Sequence, residues 1–141
     1  MLQHQESLEI ETRGRGLVDL SGSVASVVAR SQIASGVCLV YCPHTSCSLL
    51  IQENADGAVQ RDLLRWLERL APDGDPAYEH DAEGPDDMAA HLRAAVTRTS
   101  ETIPVVGGRL ALGTWQALYL AEHRASPHRR RLVVHVTGDP E

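Results

Sequence analysis

Polar and apolar residues alternate along Leu8-Glu9-Ile10-Glu11, and this period of two predicts an opening strand over residues 7–12. The rhythm then changes. Val24, Val27 and Val28, with Ala25 beside them, recur at helical spacing after Asp19 or Ser21. Either residue can cap a helix that runs to about Ile33. Gly36 ends that element, and two apolar strands follow at 37–42 and 46–52. Pro43 lies between them and cannot donate to a ladder, so the chain must break or turn there. Asp56 caps the clearest helix, in which Val59, Leu63, Trp66 or Leu67, and Leu70 form one apolar stripe.

From residue 71 to 84 the composition shifts to Pro, Gly, Asp and Glu, the mark of a long loop. Loops of that length in compact domains tend to be functional or disordered, and Tyr78 and His80 favour function. Asp86 or Asp87 starts a third helix, with Met88, Leu92 and Ala95 or Val96 expected inside. Residues 99–103, 109–112, 115–123 and 132–137 read as strands, with Gly107-Gly108 as a hairpin turn. Pro104 restricts its strand to an edge or a bulge. The pattern predicts a single α+β domain over residues 1–141, a largely antiparallel sheet or partly closed barrel with about three helices packed on it.

Composition narrows the class. A chain of 141 residues can bury a core without staples. It has no Phe, two Trp and three Tyr, so Leu, Val, Ile and Ala must build that core. No apolar run approaches the roughly 20 residues of a membrane helix, and the first residues are unlike a signal peptide, so a cytoplasmic location is expected. The net charge of −6 argues against general nucleic-acid binding. Arg124 with Arg129-Arg130-Arg131 reads as a solvated turn before the last strand; a narrower reading has Arg124 hold a small phosphate. Cys38, Cys42 and Cys47 form no CxxC pair and read as small buried residues in a reducing compartment. A catalytic thiol at Cys47 is the less favoured alternative.

The densest chemistry is His44-Thr45-Ser46 followed by Glu53-Asn54-Ala55-Asp56, polar groups at both ends of an apolar strand. Such groups are costly unless they satisfy one another or meet a ligand. His44, Ser46, Glu53 and Asp56 are therefore the candidate catalytic residues. Thr45, Asn54, Trp115, Gln116 and Arg124 are the candidate substrate contacts: amides to read a heterocycle, an indole to stack on it, a guanidinium for phosphate. Among seven histidines, His4 is assigned to a frayed terminus, His128 to a basic turn and His123 to a polar rim. His135 is packed or at an interface. His44, His80 and His91 remain, at a strand end, a loop and a helix start. Converging, they would suit a divalent cation, zinc or magnesium; the alternatives are phosphate donors or a single acid/base. Glu53 and Asp56 would then orient the histidines or hold magnesium on a diphosphate.

Between these blocks stand Gly84-Pro85-Asp86-Asp87-Met88-Ala89-Ala90-His91 and Gly108-Arg109-Leu110-Ala111-Leu112-Gly113-Thr114-Trp115-Gln116. The second runs on into Leu118-Tyr119-Leu120 and Glu122-His123-Arg124. With all of these in order, the chain resembles the YjbQ-like family, described as secondary thiamine-phosphate synthase-type proteins, from about Leu8 to Gly138. The resemblance implies the joining of a pyrimidine diphosphate to a thiazole phosphate, histidines recurring at 44, 80 and 91, and a homotrimer. The apolar faces of strands 115–123 and 132–137 are expected to seek cover in such an assembly. This length cannot form the barrel of a TIM-type synthase, so any such activity would be a separate solution. The alternatives are a metal-dependent hydrolase or transferase on another small phosphorylated molecule, or a non-enzymatic homo-oligomeric protein that binds a ligand or metal.

Overall fold

The structure is a computed structural model that describes residues 1–141. Its elements run β1 (Leu2–Glu11), β2 (Gly16–Asp19), α1 (Ser21–Ser31), β3 (Ser35–Tyr41), β4 (Cys47–Glu53), α2 (Gly57–Leu70), α3 (Asp87–Ala95), β5 (Ser100–Val106), β6 (Arg109–Leu110), β7 (Gln116–Glu122) and β8 (Arg129–Asp139). All pairings are antiparallel. One sheet has the order β1-β8-β3-β5-β6 and the other β2-β7-β4, and together they curl into half a barrel, an α+β domain as the patterning predicts. No helix is long and apolar enough to cross a membrane.

The core is aliphatic. Val24, Val27 and Val28 of α1 pack with Cys38, Val40, Leu49, Leu118, Leu120, Leu132, Val134 and Val136. Asp56 caps α2, its carboxylate accepting from the Ala58 N–H at 2.9 Å. Gly107 and Gly108, both at positive φ, make the β5–β6 turn, where a side chain would be strained. Pro104 is tolerated in β5 because β6 is only two residues long; its carbonyl accepts from Ala111, so its missing N–H faces the sheet's edge.

Several expectations need correction. β1 starts at Leu2, because Leu2 to Glu6 find ladder partners in β8; His4 sits in that strand opposite Val136, 2.6 Å from Glu6, and is not frayed. β2 escaped the pattern because only Leu17 and Val18 mark it. The buried side of α3 is Ala89, Ala90, Arg93 and Ala94, while Leu92 is exposed and Met88 only half-buried. Alanine methyls let the helix approach the sheet, and Arg93 anchors it through the carbonyls of Ala71 and His123. Ala117 to Glu122 in β7 are buried within the chain itself, so that strand offers no apolar face to a neighbour.

Three connections change sheet at one end of the half-barrel: β1 to β2, β3 to β4, and β7 to β8. Strands that part leave backbone groups without ladder partners, and side chains must satisfy them. Glu122 and Arg130 do so. Fully buried Glu122 accepts from Arg130 and from Thr12 Oγ1, while Arg130 also reaches Ser46 Oγ at 3.0 Å. Arg130 is thus not part of a solvated basic turn, and His123, 1% exposed, is not on a polar rim.

Candidate functional site

The β3–β4 crossover carries His44 and Thr45, and α3 packs against β4 so that His91 meets them. His91 Nδ1 lies 2.8 Å from the Thr45 carbonyl oxygen. Its Nε2 lies 3.1 Å from Asp87 Oδ2, one helical turn earlier on α3. The loop before α3 returns His80 to the same oxygen, Nε2 to Oδ2 2.7 Å, with the two imidazole centroids 5.4 Å apart. One ligand atom each from His80, Asp87 and His91 lies within 4.8 Å of the others.

Arg124 completes the cluster. Its guanidinium meets Asp86 at 3.0 Å, Asp87 at 2.9 Å and the Glu83 carbonyl at 3.1 Å. Each of its three nitrogens thus has an acceptor, and it braces the two aspartates. Only its backbone N–H reaches Glu122. Burial pushes the Asp87 carboxyl up, but hydrogen bonding from His80 and the charges of His91 and Arg124 outweigh it and hold the group at about 2. The Asp87 contact in turn raises His80 above its ordinary value.

His44 does not join the ligand group. Its Nε2 accepts from the Arg131 N–H at 3.0 Å, and burial, then the charge of Arg130, lowers its pKa. It shares with His91 a cleft of about 370 Å³ lined by His44, Thr45, His91, Ala94, Ala95 and Thr99. Ser46 is buried against Arg130, and Thr45 contributes its carbonyl oxygen to His91.

The remaining candidates lie elsewhere. Cys47 pairs with Glu122 at one end of β4 and Glu53 with Gln116 at the other, which separates the two polar blocks by about 20 Å. At the far end Glu53 accepts from the Asp56 N–H, Asn54 donates to the Gln116 carbonyl, and Gln116 accepts from the Gly113 N–H. Trp115 is exposed beside them. These groups tie down a turn. The block that reads as one site along the chain is therefore two places in space, with Glu53, Asp56, Asn54, Trp115 and Gln116 apart from the histidines.

The sequence pattern marks Asp87 only as a helix start, although a site signal is present: Asp87 and His91 are four apart on a predicted helix and so share a face. The buried set of Ser48, His123, Glu122 and Arg130 left no such signal, since its members come from different strands.

A model of the UPF0047 YjbQ-like proteins matches residues 6–139. The chain belongs to the YjbQ-like family. UPF0047 protein sll1880 of Synechocystis is 50% identical over 137 residues, covering 97% of this chain and 93% of that one. UPF0047 protein YjbQ of Escherichia coli O157:H7 is 34% identical over 137 residues, 96% of this chain and 99% of that one. Two solved structures share the fold of this YjbQ-like chain. Hypothetical protein APE1520 of Aeropyrum pernix has a TM-score of 0.88 at 28% identity, covering 96% and 99% of the two chains. Conserved hypothetical protein TT1486 of Thermus thermophilus has a TM-score of 0.85 at 34% identity, covering 94% and 99%.

Proposed function

We propose that this YjbQ-like protein is a metal-dependent hydrolase or transferase acting on a small phosphorylated molecule, with the cation held by His80, Asp87 and His91. One observation carries the reading. The Thr45 carbonyl can only accept, so the proton of a neutral His91 belongs on Nδ1, and Nε2 then turns a lone pair towards the Asp87 carboxylate 3.1 Å away. Two acceptors at that distance repel unless a cation lies between them. A proton would also serve, and a metal titration tells the two apart.

The donor set of two imidazole nitrogens and one carboxylate suits zinc or a similar borderline cation better than magnesium, which prefers oxygen. Asp81, Glu83, Asp86 and Asp87 surround it against Arg124 alone, a charge balance that attracts cations and repels a bare phosphate. When bound, the cation would neutralise phosphate charge and polarise the phosphorus–oxygen bond. The chain's own residues do the rest. Thr45 aims His91, Arg124 holds Asp87, and His44, with Nε2 engaged by the Arg131 N–H, closes the cleft and keeps its other ring N–H as a hydrogen-bond donor.

Thiamine-phosphate synthesis is a narrower form of this chemistry, and the cation would serve its departing diphosphate. Asn54, Trp115 and Gln116, the groups suited to a pyrimidine, lie about 20 Å along β4 from the histidines. The broader reading is preferred for that reason. Calorimetric titration of the metal-stripped protein with zinc at pH 8 is expected to give one site per chain, with Asp87→Asn and His91→Ala each weakening it at least 100-fold. A screen of phosphate esters should then find turnover that EDTA abolishes. A folded wild-type protein that takes no cation would overturn the proposal.

A further inference from the structure

The cleft next to the histidine cluster differs in kind from the loop pocket on its other side. The loop pocket, about 350 Å³, is walled by Asp75, Asp81, His80, Tyr78 and backbone of the 74–85 segment. It carries carboxylates and would repel a phosphate. The cleft on the His44 side has no carboxylate, ammonium or guanidinium among its lining residues. Its walls are the methyl groups of Ala94 and Ala95 and the small side chains of Thr45 and Thr99, closed by two imidazole rings.

Alanine at both 94 and 95 makes the space. Ala94 is buried in the helix–sheet contact, and Ala95 faces outward beside it. The volume of about 370 Å³ is near the lower end for small-molecule sites, enough for one ring or a short branched chain. Sugar hydroxyls against such walls would lose water without gaining partners, which costs binding energy for each one left unpaired. His91 belongs both to the cleft and to the cation cluster, so the cleft borders the place of the cation.

We infer that the cleft selects a phosphomonoester with a compact, uncharged and largely apolar body, an aryl or short branched alkyl phosphate, over sugar phosphates, nucleotides and pyrophosphate. This rests on the proposed cation at His80, Asp87 and His91. The phosphate sits at the cation, and the apolar body lies against Ala94, Ala95 and Thr99.

Binding tests the inference without turnover. Zinc-loaded protein is titrated with phenylphosphonate, methylphosphonate and ribose 5-phosphate, and the same series is run on Ala95→Leu, which fills the cleft from an outward position that leaves the helix packing alone. Phenylphosphonate is expected to bind at least tenfold more tightly than the other two, and Ala95→Leu to remove that preference while zinc affinity stays unchanged. Equal binding of all three to the zinc-loaded wild type overturns the substrate class and leaves the cation reading standing. A preference that survives Ala95→Leu overturns the cleft as its source. Failure to bind zinc at all overturns the cation reading, and this inference with it.

Discussion

Ser48 Oγ and His123 Nε2 lie 2.8 Å apart in the core, one on β4 and the other just past β7. Thr97 Oγ1 lies 2.5 Å from the same hydroxyl and donates to the Arg93 carbonyl, so the ring ends a short buried chain of polar groups. Burial chiefly, with the charge of Arg93 behind it, lowers His123 from 6.5 to about 4. The unfolded chain takes up a proton below about pH 6.5, whereas the folded chain waits until about pH 4. Stability should accordingly fall as the pH drops across that window, on the order of 3 kcal/mol from this residue. Urea unfolding at pH 7 and pH 4.5 should show the slope in the wild type and lose most of this share in His123→Gln. Equal slopes in both proteins would show that His123 is not its source.

Glu122 and Arg130 form a buried ion pair where the sheets part. Burial pushes the Glu122 carboxyl up, but hydrogen bonds from Arg130 and Thr12 outweigh it and leave it below its ordinary value. Removing one partner strands the other charge. Glu122→Gln and Arg130→Met should each cost about 3–5 kcal/mol, and a Glu122→Leu/Arg130→Met double variant less than either. Chemical denaturation of the three proteins reads this directly.

Gly36 and Gly138 face each other across β3 and β8. A Cβ on Gly36 would overlap the Thr137 carbonyl oxygen, and one on Gly138 the Ser35 carbonyl oxygen, both rigid backbone. Gly36→Ala should destabilise by about 3 kcal/mol, visible as a lowered melting temperature. Gly22→Ala, in α1 with open space around it, should not destabilise at all.

The trimer implied by the family resemblance needs an uncovered apolar surface, and β7 does not provide one. The groove between α2 and α3 is the better candidate: Trp66 is 49% and Val96 55% exposed, with Leu50, Ile51, Leu63 and Leu67 lining the floor. We propose that a second subunit covers it. Sedimentation should give a trimer for the wild type and a monomer for Val96→Glu at micromolar concentration. A wild-type monomer would remove this claim.

Burial on one face imposes a period, which made β3 and α2 legible, while β4 and β7 were legible as continuous apolar runs. Helix α2 is the clearest case, from the Asp56 cap to Leu70. The pattern failed where partners mattered more than periodicity. β1 begins in Gln- and His-rich sequence that only the β8 ladder makes into a strand, and α3 turns alanines inward because they permit close approach.

The sequence by itself determined the class of fold, the family, and the histidines worth watching. Tertiary structure alone decided which of them meet. Along the chain, His44 and Glu53 look like one site, but an extended strand of seven residues holds its ends about 20 Å apart. His80 and His91, eleven positions apart with a long loop between, share one carboxylate oxygen because that loop folds back onto the start of α3. Proximity in a strand protein is set by register and crossovers between sheets, which depend on pairings between distant segments and leave no periodic trace in either one.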